Sequence, residues 1–107
     1  YFKDAANAVD AIAAAPAEAI KTVNYNVAGI TPTTTAKDVE NAVRRHVPDA
    51  RIAYVPDPLI MEYYKTFSLE TLDDSRAREE WGWCPAFPDL DTVLLDFKAE
   101  LAEHPEW

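Results

Sequence analysis

The sequence predicts an α/β fragment in which two short strands accompany four to five helices within 107 residues. Three observations support this fold class. Apolar residues recur at spacings of three and four in several segments, which is typical of helices packed on one side. Two short segments, 22–27 and 51–55, are rich in β-branched and aromatic residues, as strands are. Helices flank the first of these segments, which favours an α/β arrangement over a hairpin. Because two strands make a poor sheet alone, we expect neighbours outside this chain.

The first twenty residues contain nine alanines, and alanine is the best helix former. Phe2, Val9 and Ile12 lie on one side of this predicted helix, and Pro16 ends or interrupts it. In the strand predicted over 22–27, Asn24 and Asn26 alternate with Tyr25 and Val27, so the two pairs should face opposite sides.

A second helix is predicted to begin near Thr35 and to end at Pro48. Asp38 follows Thr35 by three residues, which resembles a capping box. A basic trio, Arg44 to His46, falls in the last turn, where positive charge complements the helix dipole. Phosphate binding by the trio is a weaker alternative, because no glycine-rich loop accompanies it.

The second half contains a strand over 51–55, a helical turn or two over 59–65, and two further helices. Carboxylates at Asp73 and Asp74 favour a helix start, and Gly82 stands where a left-handed residue ends a helix. Asp89 introduces the last helix. Its apolar positions form a single stripe: Leu90, Val93, Leu94, Phe97 and Leu101.

Charge is distributed unevenly along the chain, whose formal net charge is −9. Residues 1–53 carry six acidic and six basic side chains, whereas residues 54–107 carry thirteen acidic and four basic ones. Such a surface repels phosphate groups, which disfavours nucleic acids and anionic membranes as partners. The single cysteine, Cys84, allows no intramolecular disulfide, and we expect a cytoplasmic protein.

No catalytic, cofactor-binding or metal-binding residues are predicted in this chain. Two glycines cannot build a glycine-rich nucleotide loop, and no Tyr is followed four residues later by Lys. The acidic pairs Asp73–Asp74, Glu79–Glu80 and Asp89/Asp91 could perform acid–base chemistry, but their positions favour a solvated, structural role. Trp81-Gly82-Trp83 could be a stacking platform, although such aromatics more often anchor the chain onto a core.

The segment LDDSRAREEWGW, residues 72–83, resembles a signature near the C-terminus of extended short-chain dehydrogenases, the NAD-dependent epimerase/dehydratase family. It is most like the L-threonine 3-dehydrogenase branch. Upstream, Tyr1 to Asp10, Tyr25-Asn26-Val27 and Ile52 to Pro58 resemble segments of that branch in the same order. The signature residues, for which we expect a structural role, are Asp73, Asp74, Ser75, Ala77, Arg78, Trp81, Gly82 and Trp83.

The resemblance implies that residues 1–30 end a nucleotide-binding fold, with the last Rossmann strand, and that residues 31–107 form mostly a small substrate-side lobe. It implies NAD as the cofactor of a parent enzyme, whose glycine-rich loop and Tyr-x-x-x-Lys pair this chain lacks. The chain alone would then be inactive. Expected partners are the missing N-terminal Rossmann half or another copy, as a homo-oligomer. A stand-alone binding or oligomerisation module and a nucleotide-sugar epimerase/dehydratase fragment are the alternatives.

Overall fold

A computed structural model describes residues 1–66 and 71–106 of the chain. Over these ranges the chain forms five α-helices, one short 3-10 helix and no strand. The helices are α1 (Phe2–Ala14), α2 (Ala36–His46), α3 (Pro58–Thr66), α4 (Ser75–Trp81) and α5 (Leu90–Glu103), and the 3-10 helix is Ala17–Ala19. No helix in the described part is long and apolar enough to cross a membrane.

The predicted α/β fold class is therefore wrong, and so are the two strands over 22–27 and 51–55. Neither segment pairs through its backbone with another part of the described chain. Burial does alternate along the first segment, since Tyr25 and Val27 are half-buried while Asn24 and Asn26 are exposed. The alternation identified the side that faces the core, but a strand also needs a neighbour with which to form a hydrogen-bond ladder.

The predicted helix ends are confirmed at several positions. The Thr35 side chain accepts from the Asp38 backbone N–H while the Asp38 carboxylate accepts from the Thr35 N–H, so the capping box is present. Asp89 caps α5 by accepting from the backbone N–H of Thr92. At the end of α4, Gly82 adopts φ of 76°, in the left-handed region that costs other residues about 1–2 kcal/mol.

Charged side chains connect helices that are distant in sequence. The α2 helix packs on α5, where Asp91 accepts a bidentate pair from Arg45 and a 2.6 Å contact from His46 Nε2. Lys3 of α1 pairs with Asp96 and also reaches Glu100 on α5. Because Arg45 and His46 are occupied by a carboxylate, the basic trio is better explained as a structural link than as a phosphate site.

The chain buries little of its apolar surface. The buried apolar residues are small apart from one tryptophan: Ala8, Ala28, Ala42, Ala77 and Trp83. The accessible surface is 8078 Å², whereas a folded monomer of 12.0 kDa exposes about 6,000 Å². The radius of gyration is 16.9 Å, against about 13 Å for a compact domain of this length. Some 2,000 Å² of surface is thus left without the packing that a complete domain provides.

Candidate functional site

The signature residues meet around the backbone of Ala28, which is itself buried. The Ala28 N–H donates to Asp74 Oδ2 at 3.3 Å, and the Ala28 carbonyl accepts from Trp83 Nε1 at 3.0 Å. We call this arrangement the Ala28 clasp: the Asp74 and Trp83 side chains with the Ala28 backbone between them. It satisfies both polar groups of a buried peptide that would otherwise lose its hydrogen bonds to water.

The geometry of α4 brings the two side chains of the clasp together. Asp74 precedes the helix and Trp83 follows it, and Ala77 between them is completely buried. Because Gly82 turns the chain in a left-handed conformation, the Trp83 N–H returns to the Ala77 carbonyl at 3.1 Å. Trp83 then packs with Ala77 and with Ala8 of α1. The small residues allow this close approach, and a larger side chain at Ala77 would separate α4 from α1.

Arg78 holds the Asp74 carboxylate in place. Its Nε donates to Asp74 Oδ1 at 2.9 Å, and its second guanidinium nitrogen lies 2.8 Å from Oδ2. The guanidinium is the largest cause of the lowered pKa of Asp74, which burial opposes. The two residues lie four positions apart, a spacing that brings side chains together on one side of a helix. The carboxylate is therefore charged at neutral pH and acts as a hydrogen-bond acceptor.

The two other signature residues at the start of α4 have a local role. Asp73 Oδ1 accepts from the Ser75 backbone N–H at 3.0 Å, which lowers the pKa of Asp73 and satisfies a donor at the helix start. The Asp73 carbonyl accepts from the Asn26 side chain at 3.2 Å. This contact again connects α4 to the segment that contains Ala28.

Trp81 packs at the rim of this arrangement. Its ring meets Tyr25 edge to face, with centroids 5.7 Å apart, and lies 6.1 Å from the Trp83 ring. The Tyr25 hydroxyl donates to Glu80. The indole N–H of Trp81 is buried and has no hydrogen-bond partner within the described ranges. Trp83 is only 4% exposed, so its ring anchors the chain, whereas Trp81 is half-buried and lines an apolar groove beside α1.

Three carboxylates that the sequence did not single out also hold the chain together. Asp4, which is 3% exposed, accepts from the backbone N–H groups of Ala86 and Phe87. Glu40 accepts hydrogen bonds from Lys37, Tyr54 and Arg44. These bonds, of which the one from Lys37 has the largest effect, lower the pKa of Glu40 to about 2. Asp96 accepts from Lys3 and from the Tyr1 hydroxyl, and burial together with this carboxylate raises the pKa of Tyr1 to about 12. The sequence did carry one signal for Glu40. Lys37 and Arg44 lie three and four residues from it on the same helix, a spacing that predicts ion pairs.

The described residues hold no group of three or more His, Cys, Asp or Glu side chains that could bind a metal ion. Asp73 and Asp89 accept backbone N–H bonds at helix starts, and Asp74 and Asp91 pair with arginines. Glu80 accepts from the Tyr25 hydroxyl. Cys84 is exposed. The Ala28 clasp and its neighbours hold the segment 25–28 between α1 and α4. The prediction that catalytic and cofactor-binding groups lie outside this chain stays a prediction.

No protein-family model matches the chain. It is 31% identical over 99 residues to the bovine (Bos taurus) protein "L-threonine 3-dehydrogenase, mitochondrial", a match that covers 91% of this chain and 26% of that protein. It is 34% identical over 101 residues to the pig (Sus scrofa) protein of the same name, with the same coverage. The chain thus spans about a quarter of the length of these relatives. Over that quarter it is a distant homologue of a dehydrogenase.

Proposed function

We propose that the chain is the C-terminal, substrate-lobe portion of an NAD-dependent dehydrogenase of the extended short-chain family, resembling L-threonine 3-dehydrogenase. The observation that carries the proposal is the similarity to two threonine dehydrogenases over 91% of the chain. The contacts of the signature residues support the proposal, because Asp74 and Trp83 have the structural role that the resemblance implies. The reaction of the whole enzyme would be hydride transfer from the secondary alcohol of the substrate to NAD.

The chain's own residues would contribute packing and leave the chemistry to groups outside it. In this proposal the Ala28 clasp fixes the segment 25–28, which the resemblance puts at the end of the nucleotide-binding fold. NAD and the catalytic pair belong to the other part of the enzyme, so the isolated chain would neither bind NAD nor oxidise threonine. We also propose that residues 31–107 form most of the substrate-side lobe.

A stand-alone binding or oligomerisation module is the second candidate. The surplus of about 2,000 Å² of accessible surface favours it, since a chain with that much unpacked surface gains stability from a partner. An epimerase or dehydratase of nucleotide sugars is less favoured, because the acidic second half repels a diphosphate.

The compartment is a separate proposal. One exposed thiol, Cys84, is compatible with the reducing cytoplasm. Both relatives carry "mitochondrial" in their names, which makes mitochondria the alternative. Fractionation of the source cells, followed by immunodetection of the chain in each fraction, distinguishes the two.

A chimera tests the proposed function. The segment of the bovine enzyme that matches this chain is replaced by residues 1–107, and NADH formation is followed with L-threonine or with UDP-sugars plus NAD. We expect threonine-dependent NADH formation, absent when the segment is deleted. Binding of NAD to the chimera, measured by calorimetry, identifies a folded nucleotide site. A chimera that binds NAD and leaves threonine unreacted would contradict the threonine dehydrogenase assignment.

The matched control for the chimera is Asp74→Ala, which removes the clasp without touching any proposed catalytic group. We expect this variant chimera to bind NAD and to lose threonine oxidation through a higher KM or a lower melting temperature. An unchanged rate, KM and melting temperature would show that the clasp does not shape the substrate lobe.

A further inference from the structure

We draw no further inference here: the strongest candidate, the apolar groove of about 320 Å³ between α1 and the segment 20–27 with Trp81 in its lining, carries nothing, because nothing in the described part of the chain shows what covers it.

Discussion

The Ala28 clasp predicts that two tryptophans only two residues apart respond differently to the same substitution. In Trp83→Phe the indole N–H is lost, and the buried Ala28 carbonyl loses the donor that lies 3.0 Å away. In Trp81→Phe an N–H is also lost, but this one is buried without a partner in the described part of the chain. The pair is therefore a matched comparison of a satisfied and an unsatisfied donor.

The magnitudes follow from the contacts. Leaving a buried carbonyl unsatisfied costs about 1–3 kcal/mol, and the smaller phenyl ring of Trp83→Phe loses about 1 kcal/mol of apolar burial. We expect the free energy of unfolding to fall by about 2–4 kcal/mol. Trp81→Phe loses similar ring area, yet it removes a buried unpaired donor, so its change should lie within about 1 kcal/mol of zero.

Urea unfolding followed by far-ultraviolet circular dichroism measures both values without relying on tryptophan fluorescence. For a chain of this length, 2–4 kcal/mol corresponds to a fall in Tm of about 10–30 °C. Trp83→Leu, which also lacks the donor, should be at least as destabilised as Trp83→Phe. If Trp81→Phe destabilises the chain as much as Trp83→Phe does, the assigned importance of the clasp is refuted.

Three further predictions concern the clasp and its surroundings. Asp74→Asn should lower the free energy of unfolding by about 1–2 kcal/mol at neutral pH, because the charge-assisted pair with Arg78 is lost. Since the pKa of Asp74 is lowered in the folded chain, the difference should shrink as pH falls below the ordinary Asp value and vanish below the lowered pKa. Urea unfolding at several pH values measures it, and a difference that persisted in strong acid would disprove this. Glu40, whose pKa is lowered from 4.5 to about 2, contributes its full stabilisation above pH 4.5 and loses it as pH falls from 4.5 through 2. Glu40→Gln should therefore lack this loss of stability when acid unfolding is followed by circular dichroism. An acid transition identical to that of the parent chain would count against the role of Glu40. Gly82→Ala should cost about 1 kcal/mol in urea unfolding, from backbone strain alone, because an added Cβ meets no atom within 4 Å; a stabilised variant would contradict the left-handed turn.

Local features of this fold could be predicted from the sequence, because they depend on residues close to one another in the chain. The capping box at Thr35 and Asp38, the glycine at the end of α4 and the Asp74–Arg78 pair are examples. Each needs only a spacing of two to four residues and a suitable side chain.

The fold class could not be predicted correctly, since strands depend on partners that sequence patterns do not reveal. The segment 51–55 has the composition of a strand, yet Val55 is 89% exposed and the segment pairs with no other described backbone. The clasp also escaped prediction. Asp74, Trp83 and Ala28 are brought together by tertiary packing across a separation of 46 to 55 residues.

The segment Lys65 to Leu69 departs from the segments that this sequence resembles. The family often has a Trp-Pro pair in this region, and the chain has neither residue there. Residues 67–70 lie outside the described residues, so this feature stays a sequence observation.

We propose that this chain carries the substrate-lobe portion of a dehydrogenase and none of the cofactor chemistry. Isothermal titration calorimetry of the isolated chain with NAD tests it most directly, with the chimera as the positive control for binding. We predict no heat of binding for the isolated chain and clear binding for the chimera. Micromolar affinity of NAD for the isolated chain would contradict the claim.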